Sequence, residues 1–135
     1  MLKKQQYLDH ALRMALQVAA AQRTDGALPG YLGSDWRPKV RWTCLTGNAQ
    51  MAINWFRLAQ ETGVAALADH AIAANTFNIG QHEWDSGDMN RDGGVKGSHP
   101  IDADYMTWRY PNWAAKFFMD ALMLQVLGSR AANIG

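Results

Sequence analysis

Apolar residues recur along this chain at helical rather than strand spacing. Leu8, Ala11, Leu12, Ala15, Val18 and Ala19 share one face of a segment from about residue 4 to 22, with Asp9, Arg13 and Gln17 on another. That spacing predicts an amphipathic helix whose buried stripe is small enough for close helix approach. Thr24-Asp25-Gly26 breaks it, and Pro29, Gly30, Gly33 and Pro38 keep the backbone irregular to about Arg41. A second helix is predicted from Thr43 or Thr46, either of which can serve as N-cap, to about Glu61. Leu45, Ala49, Ala52, Ile53, Phe56 and Ala59 form one stripe on it, and Met51, Trp55 and Leu58 another. A helix apolar on two sides is expected to be enclosed on two sides. Thr62-Gly63 supplies the stop, and the turn that follows is short enough to make antiparallel neighbours.

The third predicted helix, about Ala65 to Gln81, is Ala-rich, with Leu67, Ile72, Phe77 and Ile79 among its larger apolar residues. A long polar segment from His82 to Tyr110 follows, and its aromatic content (Trp84, Tyr105, Trp108, Tyr110) predicts an ordered loop. Pro111 opens a fourth helix. Ala114, Phe117, Phe118, Ala121, Leu122 and Gln125 lie on one side of it, and Trp113, Met119, Met123 and Val126 widen the apolar surface. No pattern continues after Gly128, so the tail is expected to fray. Residues 1–135 read as a single domain of two helical hairpins, about 4–61 and 65–126.

The two hairpins share a plan. Asp25-Gly26 and Asp92-Gly93 lie 67 residues apart, Gly33-Ser34 and Gly97-Ser98 lie 64 apart, and Gln60 and Gln125 lie 65 apart. Stacked repeats of this kind put both glycine-bearing loops at one end of the bundle and the short turn at the other. The second and fourth helices then aim their N-termini at the loops, where exposed N–H groups favour an anion.

Composition narrows the function classes. Hydrophobic residues make up 48% and charged residues 19%, which argues against disorder. Thirteen basic and twelve acidic side chains give a net charge of +1 with no basic run, so nucleic acid is not an expected partner. No apolar run approaches the ~20 residues that span a bilayer, and Asp9, His10, Arg13 and Gln17 interrupt any signal-peptide core. The single Cys44 excludes an internal disulfide and fits a reducing, cytoplasmic setting.

Candidate chemistry concentrates in the second loop. Asp92, Asp102 and Asp104 can supply paired carboxylates for acid–base work on a glycosidic bond. His99 and Tyr105 can act as base and acid in an elimination beside a uronate carboxylate. The competing reading makes the aspartates turn caps, His99 a loop hydrogen-bonder and Tyr105 a packing residue. Trp36, Trp84, Trp108 and Trp113, with Asn112, can contact sugar rings, although at least two of the four tryptophans are expected to be structural. Asn48 and Asn112 are placed to bond loop carbonyls. No metal or cofactor is expected.

Alternating amphipathic and apolar helices with Gly-rich loops at one end resemble the α/α toroid of terpenoid cyclases, protein prenyltransferases and six-hairpin glycosidases. More narrowly, CLTGNAQMAINWFRLAQETG and DGGVKGSHPIDADYMTWRYPNWAAKFFMDAL resemble bacterial toroid proteins found with exopolysaccharide and capsule biosynthesis. The likeness spans about residues 25–125, and its strongest motif is Tyr110-Pro111-Asn112-Trp113-Ala114. It implies an all-α, partial α/α toroid, and a longer chain of which this is a C-terminal fragment. It also implies handling of an anionic glycan, lyase- or hydrolase-like, at the loop-rich end. Two alternatives stand beside it. One is a non-catalytic helical module whose edges bind the missing hairpins or a second copy; the other is an isoprenoid-binding toroid. Asp102-Ala103-Asp104-Tyr105 resembles the Asp-x-Asp-Asp acid of terpene cyclases but lacks its final Asp. Cys44, His99 and Asp102 are similar in type to the prenyltransferase zinc set but contain no closely spaced ligand pair.

Overall fold

A computed structural model describes the backbone of residues 2–132 and the side chains of residues 4–128. The chain is all-α. Helices α1 (Leu2–Ala20), α2 (Leu45–Thr62), α3 (Ala65–Gln81) and α4 (Asn112–Ala132) carry the fold, with two-residue strands β1 (Thr43–Cys44) and β2 (Ser98–His99) between them. Helix α2 is central: α3 and α4 pack on it, and α1 rests on α2 and α3.

The helix ends show where periodicity stops being informative. Helix α1 stops at Ala20 because the N–H groups of Ala21 and Gln22 turn to the carbonyls of Val18 and Ala19, a tightened last turn. The N-cap of α2 is Cys44 rather than a threonine, its Sγ accepting from the Gly47 N–H at 3.3 Å. Thr43 sits one residue too early and Thr46 is already inside the helix; both hydroxyls are buried without a partner among the described residues. Gly63 ends α2 in the left-handed conformation (φ 73°), its N–H returning to the Ala59 carbonyl. Helix α4 begins at Asn112, just after Pro111, whose carbonyl accepts from the Ala114 N–H. It continues past Gly128, where the apolar pattern stops, to Ala132; residues 133–135 lie outside the described part.

Small residues set the spacing of the core. Ala49, Ala52, Ala71, Ala74, Ala114 and Ala121 are fully buried, which lets the backbones of α2, α3 and α4 come close. Trp55 supplies the bulk: it is completely buried, and its indole N–H donates to the Ala15 carbonyl at 3.1 Å, tying α1 to α2. A ladder of buried amides runs between the helices. Asn48 accepts from the Leu28 N–H and donates to the Ala74 carbonyl and Asn78 Oδ1. Asn78 donates in turn to the Leu45 carbonyl, while Asn75 donates to the Ala121 carbonyl and Gln125 Oε1. Beyond α1, Gln22 donates to the carbonyls of Gly26 and His70 and accepts from His70 Nδ1 at 2.5 Å.

The two loops meet. Strands β1 and β2 pair antiparallel, Thr43 opposite His99 and Cys44 opposite Ser98. The Leu45 N–H extends this clip to the Gly97 carbonyl at 3.1 Å. The irregular segments preceding α2 and α4 therefore lie at one end of the molecule, as the repeat requires.

Candidate functional site

The clip decides what stands at the loop end. Thr43 is fully buried, and its cross-strand partner His99 presents its ring edge-on to Phe77, centroids 5.9 Å apart. The Arg23 guanidinium lies over the same Phe77 ring at 5.8 Å. Arg23 is itself held in place, donating through Nε and Nη2 to the two Asp25 oxygens (3.2 and 2.8 Å) and through Nη1 to the Arg41 carbonyl. The Arg23 bonds hold the Asp25 carboxyl below its usual range. Partial burial, then the nearby Lys96 and Arg23 charges, push His99 below the ordinary histidine value, so its imidazole is neutral at pH 7. The His99 ring is thus a neutral imidazole edge-on to Phe77, with Arg23 and Lys96 each already paired to a carboxylate, Asp25 and Glu83.

The rest of the second loop is braced around Glu83. One Glu83 oxygen accepts from Arg91 Nε and Nη2 (2.9 and 2.6 Å); the other accepts from the Tyr110 hydroxyl at 3.0 Å and faces Lys96 Nζ at 3.6 Å. Arg91 above all holds the Glu83 carboxyl below its usual range, and burial pushes the Tyr110 phenol up. Asp92 Oδ1 accepts from the Ser86 N–H and hydroxyl (2.7 and 2.6 Å), while Asp88 Oδ1 accepts from the Asn90 N–H and side-chain amide. Charged and polar groups therefore brace the loop, while Trp84 and Trp108, two of the aromatics on which the expectation of order rested, are mostly exposed.

Asp92, His99, Asp102, Asp104 and Tyr105, expected nearest the chemistry, line none of the four grooves described in this subsection. Asp92 is an exposed brace on the Ser86 side of the loop. Asp102 and Asp104 are exposed on the turn that follows the cis His99–Pro100 bond. The Tyr105 hydroxyl accepts from the Trp113 indole N–H at 3.0 Å, joining one predicted catalytic residue to one predicted sugar contact. Of the other aromatics, Trp84 stands edge-on to His82 at 4.1 Å and Trp108 is largely exposed. Trp36 borders a groove with His10, Arg13, Met14 and Gln17, and Asn112 is exposed at the start of α4. Arg23 and Lys96 were not singled out in the sequence, and Phe77 was read only as an apolar residue of the third helix; no spacing pattern joins the three.

The anion expectation needs one correction. The first N–H groups of α2 are already engaged, Leu45 by the Gly97 carbonyl and Gly47 by Cys44 Sγ. The cations at this end are paired as well, Arg23 with Asp25 and Lys96 with Glu83. Burial pushes the Cys44 thiol up despite the N–H bonds it accepts, leaving a protonated capping group rather than a nucleophile. Among the described residues, no group of three or more His, Cys, Asp and Glu is placed to hold a metal ion, and no helix is long and apolar enough to cross a membrane.

The larger concavities run between helices. A groove of about 440 Å³ lies between α1 and α2, and one of about 370 Å³ between Phe56, Ala68, Ile72 and Leu124 of α2, α3 and α4. A third, of about 490 Å³, is bordered by Gly47, Gln50, Ile53 and Phe117. All are open troughs. Helix α4 adds an uncovered apolar stripe on the side away from the core: Met119, Met123, Val126 and Leu127 are 60%, 58%, 51% and 56% exposed. No protein-family model, curated protein or solved structure matches the chain.

Proposed function

We propose that this chain is a two-hairpin unit of α/α-toroid type that works by helical docking, another helical element covering the outward face of α4. The exposed stripe Met119, Met123, Val126 and Leu127 carries the reading. A helix apolar round most of its circumference is stable when enclosed, and α2, its counterpart in the first hairpin, is enclosed. The test is hydrophobic-dye binding by dilute protein, compared with a Met119→Glu, Met123→Glu double variant. The expected result is a dye signal in the parent chain that the variant loses, with helicity and melting temperature unchanged. A baseline signal in the parent chain would remove the reading. A cytoplasmic setting belongs to the proposal, supported by the lone, half-buried Cys44 thiol.

A second reading places an anionic glycan at the loop end, supported by the clip that puts His99 near Arg23, Lys96 and Phe77. In it, His99 removes the proton beside a uronate carboxylate, Arg23 and Lys96 offset the carboxylate charge, and Tyr105 protonates the leaving oxygen. Asp92, Asp102, Asp104 and the exposed Trp84 and Trp108 would flank the chain of sugars. Calorimetry with an oligoglucuronate and a neutral oligoglucose tests it: binding of the first alone, lost in Arg23→Ala, is expected. Turnover unaffected by His99→Ala or Tyr105→Phe would withdraw the catalytic roles. The isoprenoid alternative calls for an enclosed aromatic cavity, and these troughs, open and with Phe56 and Phe117 as their aromatic lining, lend it no support.

A further inference from the structure

We infer that the groove between α1 and the tip of the loop after it binds a carboxylated sugar, Arg13 holding the carboxylate and the Trp36 indole covering one face of the ring. The groove, about 360 Å³, is lined by His10, Arg13, Met14, Gln17 and Trp36. That volume lies at the lower end of the range for small-molecule sites. The groove shares no residue with the loop-end reading above and stands without it.

Its lining holds a cation and no carboxylate. His10, Arg13, Met14 and Gln17 stand three or four residues apart, on one face of α1. Arg13 Nη2 donates to the His10 ring nitrogen Nδ1 at 2.8 Å, and among the described residues Arg13 makes no ion pair. The nearest acids along the chain are turned elsewhere: Asp9 accepts from Gln5 Nε2, and Asp35 from the Arg37 N–H and Lys39 Nζ. The guanidinium therefore keeps N–H groups for a carboxylate from outside, which it can grip through two parallel bonds. The opposite wall stands on strained backbone. Trp36 holds φ 60°, where glycine alone fits without cost. Turn bonds from the Trp36 N–H to the Gly33 carbonyl and from the Gly33 N–H to the Arg37 carbonyl keep it there. Its indole is 36% exposed, which leaves aromatic surface open beside Arg13. A sugar matches this set better than an aromatic acid: its C–H face lies on the indole while its hydroxyls pair with the His10 imidazole and the Gln17 amide.

The test follows the indole N–H signal of Trp36 by NMR in the full chain, assigned by its absence from Trp36→Gly. Sodium glucuronate, glucose, benzoate or acetate is added at constant ionic strength. The expected result is a saturable shift with glucuronate, weakened at least about tenfold in Arg13→Gln and retained in Arg23→Ala, the variant that removes the loop-end site. Trp36→Gly should lose the accompanying shift of the Arg13 Nε–H signal, yet keep a urea midpoint equal to or above the parent's, because glycine relieves the strain. No shift with glucuronate would overturn the inference, as would an equal response to glucose, benzoate or acetate. So would unchanged affinity in Arg13→Gln, or a shift lost in Arg23→Ala. A midpoint of Trp36→Gly well below the parent's would also overturn it, marking the indole as part of the fold.

Discussion

Gly26 and Gly63 both hold positive φ (90° and 73°), yet a side chain added at each meets different surroundings. At Gly26 a Cβ would lie 2.1 Å from the Ala73 carbonyl oxygen, so backbone must move; at Gly63 nothing lies within 4 Å. Gly63→Ala is expected to cost about 1–2 kcal/mol, the conformational term alone. Gly26→Ala should cost several kcal/mol, because strain and overpacking combine. Urea midpoints of the two variants check the order. His99 supplies the pH-dependent expectation. Its folded value lies below the ordinary 6.5, so the unfolded chain takes up the proton first. Stability from this group is therefore complete above about pH 7 and is lost as pH falls through 6.5 toward the folded value. Urea midpoints between pH 7 and 5 should fall more steeply for the parent than for His99→Gln. The lowered carboxyls of Asp25, Glu83 and Asp92 act in a separate window, their contribution disappearing only as pH drops through and below their ordinary values of 3.8 to 4.5.

Between helices, the buried amides matter most. Asn48→Ala would strand the Leu28 N–H and remove the donor to Asn78 Oδ1. Each buried group left unsatisfied costs about 1–3 kcal/mol, so a loss at the upper end of the single-residue range is expected in thermal or urea melts. Helix existence and type were legible because stripes such as Leu8, Leu12, Ala15 and Ala19 repeat at the helical period. The loop bond of Asn48 was foreseen from its place near a helix start, although its partner there is the N–H of Leu28. Asn75 and Asn78 went unread, despite standing three residues apart on an Ala-rich helix, a spacing that marks one face. The Cys44 cap was missed because a thiol is a weak acceptor and two threonines nearby are better ones. The Glu83 brace was illegible for another reason: Arg91, Lys96 and Tyr110 reach it across 8 to 27 positions, and no periodicity encodes such closure.

For the molecule as a whole, the repeat of plan foretold that the loops before α2 and α4 share one end, and the β1–β2 pairing puts them there. What it did not foretell is that Asp92, Asp102 and Asp104 are all exposed, Asp92 as a partner of Ser86, since the repeat of plan carries no information on burial within a loop. The clip has one more consequence. Arg91 lies in an exposed stretch with Asp85, Gly87 and Met89, outside α2, α3 and α4, and is tied to Glu83. A tryptic cut after Arg91 would leave two pieces, one ending in the loop after α3 and the other beginning just before β2, still joined by the strand pairing, the Asn75 bonds to α4 and the packed faces of α2 and α4. They should elute from a sizing column together and part only in denaturant; separation in plain buffer would mean that this seam is weaker than its contacts imply.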